Sequence, residues 1–220
     1  IYGQDEAKKQ IKGVIAQWMN GDNSGYVFGF EGPPGTGKTS LAKKGLSCML
    51  KDETSGNKRP FAFVSLGGSS NSSHLDGHNY TYVGSSWGQI ADILMTAGCM
   101  NPIIFIDELD KVSRTEHGKE IIGVLIHMTD PTQNDGFYDK YFSNIPLDLS
   151  KALIIFSYND ASLIDPILLD RIHTVQFEAF RQHEKWIIVR DYMWPEICKT
   201  IGFDQDEFVV QGNNVREIVL

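Results

Sequence analysis

Gly32-Pro33-Pro34-Gly35-Thr36-Gly37-Lys38-Thr39 fits G-x-x-x-x-G-K-[ST] in full. Each residue type has a task in that pattern. Glycines let the backbone turn its N–H groups inward around phosphate oxygens, and a helix starting behind them adds the positive end of its dipole. Lys38 would reach the β- and γ-phosphates of a nucleoside triphosphate, the Thr39 hydroxyl would meet Mg²⁺, and Ser40 beside it belongs to the nucleotide-binding stretch. Further on, the apolar run Ile103-Ile104-Phe105-Ile106 ends in Asp107-Glu108. Asp107 could hold Mg²⁺, directly or through water, and Glu108 could polarise an attacking water. Acids often end strands, but paired with a phosphate loop this one gains meaning. Asp110 and Lys111 follow on a polar turn, where a solvated surface and a functional role stand equally open.

Hydrolysis would need two further groups: a polar side chain to place the water and a cation near the γ-phosphate. Asn159 after Ser157-Tyr158 and Arg171 after Asp170 are candidates by position. On spacing alone an Asn after a strand is a turn residue and an Arg a surface residue.

These groups need elements to hold them. Ile11, Val14, Ile15, Trp18 and Met19 recur at helical spacing, with Asp5 placed to cap the helix. A polar loop from Asn20 to Gly25 leads into a strand, Tyr26 to Phe30, directly before the phosphate loop. A helix is expected over Ser40–Leu50, strands over Phe61–Leu66, Pro102–Ile106, Ala152–Ser157 and His173–Phe177, and helices over Trp87–Ala97 and Lys119–Met128. Strands alternating with helices imply a parallel sheet covered on both faces. Gly67 to Ser86 reads as a long functional loop. Glu184–Lys199 reads as a last helix that Pro195 kinks or restarts, with the stripe Trp186, Val189, Met193 and Ile197 as the core of a small helical piece. A boundary is expected near Phe180, dividing the chain into 1–179 and 180–220.

The 220 residues carry 20 Lys+Arg against 28 Asp+Glu, a net charge of −8. That balance argues against a chain dominated by nucleic-acid backbone binding. The apolar content, 41%, excludes a disordered chain, and no apolar run approaches a membrane span. Cys48, Cys99 and Cys198 form no C-x-x-C pair or disulfide framework, which suits a cytoplasmic or other reducing compartment. His74 and His78 are four apart, but Gly77 and the Ser/Asn/Gly around them argue for a loop rather than a zinc helix. Asp204, Asp206 and Glu207 read as a solvated acidic face. A first residue Ile1, with no signal peptide before the first motif, suggests a piece of a longer protein.

Over nearly its whole length the chain resembles the AAA+ ATPase module of Lon proteases. Ile1-Tyr2-Gly3 with Asp5-Glu6 is similar to the segment that clasps adenine in that family. Ser65-Leu66-Gly67-Gly68, Gly77-His78, Thr81-Tyr82-Val83-Gly84, Asn101-Pro102 and Asp107-Glu108-Leu109-Asp110-Lys111 recur in Lon order and spacing. So do Asp130-Pro131 with Gln133-Asn134, Asp148-Leu149-Ser150-Lys151 and Leu168-Leu169-Asp170-Arg171. The resemblance implies a P-loop NTPase with a doubly wound α/β parallel sheet and a small, shortened helical lid. It implies ATP and Mg²⁺ as ligands, polypeptide substrates, and a homo-oligomeric ring, hexameric in the family. By the same resemblance Asn159 would be the sensor that places the water. Arg171 would be the arginine finger acting on a neighbour's ATP, Tyr82-Val83 the pore loop that grips substrate, and Arg216 in Asn214-Val215-Arg216 a second sensor.

Some positions depart from the family pattern. Asn79-Tyr80 replace basic residues, Trp87 stands where proline is common, Gly118-Lys119-Glu120 lacks an acidic-proline pair, and Gly202 to Asn213 is short. No Ser or Lys matches the context of the family's peptidase dyad, so this chain alone is not expected to cut peptides. Two rival readings have discriminating observations. A stand-alone remodeller or nucleic-acid motor would show DNA-stimulated turnover. A nucleotide-gated scaffold would show none, although Glu108 and Arg171 are both intact.

Overall fold

A computed structural model describes residues 2–20, 27–50, 56–67 and 72–202. Tyr26, Asp204, Asp206, Glu207 and Arg216, and the side chains of Trp18 and Met19, lie outside the described residues. The described chain divides into two compact units, Glu6–Phe177 and a second formed by Tyr2–Asp5 with the chain from Glu178 onward.

The strands in chain order are β1 Val27–Glu31, β2 Phe61–Ser65, β3 Ile103–Asp107, β4 Phe137–Tyr138, β5 Pro146–Leu147, β6 Leu153–Tyr158 and β7 His173–Gln176. Five form one sheet in the order β2-β3-β6-β1-β7, with every pairing parallel. The other two, not foreseen from the sequence, pair as a short antiparallel ribbon. Successive residues of a strand point to opposite faces, and in β1, β3 and β6 both faces are buried. Ile103 and Phe105 enter one core with Ile11, Ile15, Phe30 and Leu46; Ile104 and Ile106 enter another with Ile90, Leu94, Leu125 and Met128. This is why β3 reads as an unbroken apolar run.

The first helix, Asp5–Asn20, starts on Asp5 itself and buries Ala7, Ile11 and Ile15. Behind the phosphate loop a helix begins at Lys38, widens to a π-helix over Leu41–Leu46 and returns to α over Ser47–Met49. Helices Gln89–Ala97 and Glu116–Thr129 cover the second core. The long loop is not featureless, since Ser73–Asp76 forms one helical turn. Gly77 ends that turn with φ 79°, so His74 and His78 do not share a helix face.

The amino-terminal ends of three strands are tied together by Arg59, which is buried. Its guanidinium donates to the carbonyls of Asn101 and, at 2.5 Å, Lys151, just before β3 and β6. Its own carbonyl accepts from Ser47 Oγ at 2.7 Å. Burial brings the Arg59 pKa down to about 10.

In the second unit, Gln4 Nε2 donates to the Glu178 carbonyl at 2.7 Å, and the Tyr2 and Tyr192 rings lie 6.4 Å apart. One helical rod runs through Gln182–Ile188, a π-segment Val189–Met193, and Trp194–Ile201. Pro195 falls in the first turn after the π-segment, where its missing N–H costs least, so it marks a restart. The expected apolar stripe is not a buried core. Met193 and Ile197 are 50% and 42% exposed, Trp186 and Val189 are half-buried, and Cys198 is the buried residue of the rod. Periodicity finds an apolar stripe but not its burial, which depends on what covers it. Among the described residues no helix is long and apolar enough to cross a membrane.

Candidate functional site

Parallel strands bring their carboxyl ends to one edge, and ligands in such sheets bind where the chain order reverses. Here the reversal is at β1: the chain leaves it toward β2 on one side and later crosses it from β6 to β7. Register aligns Glu31 with Tyr158 and Ser65 with Asp107. The phosphate loop, the acidic end of β3 and Asn159 therefore emerge side by side. They line a cleft of about 390 Å³ whose walls include Pro34 to Ser40, Asp107, Glu108, Asp110, Lys111 and Asn159.

Within the loop, Gly35 and Gly37 adopt φ of 77° and 88°, a region that residues with a Cβ avoid. Thr36 Oγ1 donates to the Pro33 carbonyl at 2.9 Å. Lys38 is only 8% exposed, and its ammonium donates to the carbonyls of Gly32, Pro33 (3.3 Å) and Tyr158 (3.4 Å) and to Asn159 Oδ1 (3.2 Å). Burial lowers the Lys38 pKa, and the charges of Asp107 and Asp110 oppose that shift. Asp107 Oδ1 accepts the Glu108 N–H at 3.0 Å. The Thr39 hydroxyl and Asp107 carboxylate are hard oxygen donors on one cleft, a set that fits Mg²⁺.

Glu108 stands in the left-handed region, φ 63°, and caps the 3₁₀ turn Leu109–Lys111. Its carboxylate takes one hydrogen bond from Lys111 and another from Ser65 Oγ at 3.4 Å. A Cβ on Gly67 would meet that carboxylate, so a larger residue there would push the Glu108 side chain out of this position. The Lys111 hydrogen bond, joined by its charge and by Ser65, holds the Glu108 carboxyl below the usual carboxylate range. Asp110 turns the other way and accepts the Asn159 N–H at 3.2 Å. The turn left open between surface and function thus faces the site. Ser65, Gly67 and Glu31 were not singled out for the cleft, because their partners are distant in sequence.

Other expected site residues lie elsewhere. Arg171 precedes β7 at the amino end of the sheet, where His173 aligns with Phe28, and its guanidinium pairs with Asp130 at 3.2 Å. Four residues of strand, roughly 13 Å, separate that register from Gly32, so Arg171 does not reach the cleft of its own chain. Tyr2 and Gly3 belong to the second unit. Tyr82 and Val83 form the tip of loop 78–86, closed by His78 N–H to the Ser86 carbonyl at 3.0 Å. Tyr82 is 67% exposed and Val83 fully so; neither is a packed loop residue. Beneath the loop, the wholly buried Asp139 accepts the N–H groups of Gly88 and Tyr141, each at 2.8 Å. Trp87 packs on the rings of Tyr141 and Phe142. Gly118-Lys119-Glu120 lies inside the helix Glu116–Thr129.

A doubly wound parallel sheet with a phosphate loop at its reversal point, and an acid pair and a polar side chain in the same cleft, defines a P-loop ATPase. Residues 28–179 match the ATPase family associated with various cellular activities (AAA), and the chain belongs to it. It is an ATPase module and binds nucleotide. It is 40% identical over 222 aligned positions to a Lon protease homolog of Acanthamoeba polyphaga mimivirus, covering 100% of this chain and 21% of that protein. It is 34% identical over 197 positions to the Lon protease of Campylobacter concisus, covering 90% and 23%. With a mitochondrial Lon protease homolog of Dictyostelium discoideum the identity is 34% over 219 positions, covering 99% and 22%. The resemblance to the AAA module of Lon-type proteases therefore holds across the whole chain, which spans about a fifth of the length of these relatives.

Proposed function

We propose that this module hydrolyses ATP to unfold polypeptide and thread it toward a serine protease of the Lon type. It works in a ring of identical subunits, hexameric as the family resemblance implies. Lys38 and the loop N–H groups bind the phosphates. Thr39 and Asp107 hold Mg²⁺, which supplies neutralisation of phosphate charge when bound. Glu108 is the general base, Asn159 orients the attacking water, and Arg171 serves the site of a neighbouring subunit. Tyr2 and Gly3 contact adenine, and Arg216 acts as a second sensor from a lid spanning 180–220, beside an ATPase domain of 1–179. Tyr82 and Val83 grip the substrate chain. The acidic charge balance favours polypeptide over nucleic acid as cargo. The cysteine pattern favours a cytoplasmic or other reducing compartment.

The observation that carries this reading is the convergence of Lys38, Thr39, Asp107, Glu108 and Asn159 on one cleft. Its test is Glu108→Gln, which leaves the phosphate cradle and metal donors in place but removes the base. Expected is ATP affinity within about twofold of the parent, with turnover lowered by at least roughly 100-fold. Turnover at the parent rate would overturn the assignment. For Arg171, an Arg171→Ala chain mixed with Glu108→Gln should regain activity if the two sites meet across subunits. No recovery under verified subunit exchange would mean that Arg171 does not act between chains.

A further inference from the structure

Asn159 reaches the cleft from the end of β6, yet the groups that hold its loop come from the strands on either side. From the β3 side, Asp110 Oδ2 accepts the Asn159 N–H at 3.2 Å. From the β1 side, Glu31 Oε1 accepts the Ala161 N–H at 3.3 Å. The second Glu31 oxygen accepts from the Gln176 side-chain amide at 2.7 Å, at the end of β7. Glu31 is the residue immediately before the phosphate loop, in register with both Tyr158 and Gln176. Its carboxylate therefore spans the ends of three neighbouring strands. Asn159 and Ala161 lie past the end of the β6 ladder, so these carboxylates meet donors that the sheet leaves over.

A backbone held at two points, two residues apart and from opposite sides, cannot swing toward or away from the phosphate loop without losing one contact. The Asn159 amide oxygen is then fixed against the Lys38 ammonium at 3.2 Å. Placement of that kind matters because a displacement of about 1 Å in a catalytic group costs up to roughly 100-fold in rate.

We propose that Glu31 and Asp110 are positioning residues for Asn159, one carboxylate from each flanking strand, setting its distance from the phosphate loop. The inference rests on reading Asn159 as the residue that orients the attacking water. Neither acid touches the reacting atoms; both act through the 159–161 backbone. Their loss should therefore lower kcat with little change in KM, and should have no further effect once Asn159 is gone.

The test is a double-mutant cycle on the ATPase of the full-length protein, using Asn159→Ala, Glu31→Met and Asp110→Ala, singly and with each acid variant added to Asn159→Ala. Each acid variant is expected to lose kcat on the order of tenfold, with KM for ATP within about threefold. In the Asn159→Ala background the same changes should alter kcat by less than about twofold. Glu31→Gln, which keeps an oxygen for the Ala161 N–H, should recover most of the rate. Amide exchange at 159–161 should quicken in Glu31→Met and not in Glu31→Gln. Asn159→Ala turning over at the parent rate would overturn the reading of Asn159 and the inference with it. A slow Asn159→Ala beside acid variants at the parent rate, or with losses that multiply, would overturn the inference alone. If Glu31→Met does not fold, Asp110→Ala carries the cycle from the other strand, and its failure to couple has the same force.

Discussion

The phosphate loop and loop 78–86 belong to the same unit and are fixed in opposite ways. The phosphate loop is held from within: Lys38 is buried and folded onto the Gly32 and Pro33 carbonyls of the loop and the Tyr158 carbonyl beside it. Loop 78–86 has its side-chain anchor at its base, in Asp139, and the His78–Ser86 bond closes it. Beyond that, among the described residues, only backbone turns shape it, Tyr82 N–H to the Asn79 carbonyl and Ser85 N–H to the Tyr82 carbonyl, while Tyr80, Tyr82 and Val83 stand in solvent. A site for one small anion profits from preorganisation; a surface for a sliding chain of changing sequence profits from an anchored root and an unencumbered tip.

The contrast breaks most visibly at Lys38. Lys38→Ala removes the charged donor from the inner site, and ATP affinity measured by titration should fall roughly 30- to 150-fold, or about 2–3 kcal/mol. Loop 78–86 should be untouched, with unchanged protease sensitivity. Asp139→Ala attacks the root of the other loop. It leaves the N–H groups of Gly88, buried, and of Tyr141 and Phe142, partly buried, without their acceptor. The cost is about 1–3 kcal/mol for a buried group, so denaturant unfolding should show a loss of about 2–4 kcal/mol while nucleotide affinity stays near the parent value. Tyr82→Ala sharpens the comparison from the tip. Stability should change by less than about 0.5 kcal/mol, whereas processing of a folded substrate by the full-length protein should slow by up to about tenfold as the aromatic contact is lost. Undiminished processing would leave Tyr82 without a substrate role.

The smallest effect concerns pH. Lys111 keeps the Glu108 carboxyl below its ordinary range. A base with a lowered pKa stays ionised further into acid, so Lys111→Met should let that pKa rise and move the acid limb of kcat/KM to higher pH. The loss at neutral pH should be less than about threefold, because the carboxylate stays ionised there in both proteins. An unmoved acid limb would show that the Lys111 contact does not bear on the base.

The sequence made the inner site legible because its chemistry demands fixed residue types at short spacing, from Gly32 to Thr39 and again at Asp107-Glu108. The exposed loop was legible only through the order of Thr81-Tyr82-Val83-Gly84 and its neighbours. The supports of both were not. Asp139 meets Gly88, and Glu31 meets Ala161 and Gln176, across separations that no local pattern encodes. Asp110 and Lys111 are adjacent, yet one turns to Asn159 and the other to Glu108; the 3₁₀ turn decides this, not the residue types. In the second unit a helical period gave the apolar stripe its position on the rod but not its cover.

Arg59 stitches the starts of β2, β3 and β6 at the edge of the sheet farthest from the cleft. Ladder bonds continue that seam, with the Ile103 N–H on the Pro60 carbonyl at 2.8 Å and the Leu153 N–H on the Pro102 carbonyl at 3.0 Å. In hydrogen-exchange terms the sheet then has a slow end and a fast end. The amides of Ile103 and Leu153 should exchange only when the whole unit opens, while those of Asn159 and Ala161 exchange by local excursions. Local opening is thereby expected first at the margin where phosphate would bind and last at the margin that Arg59 ties together.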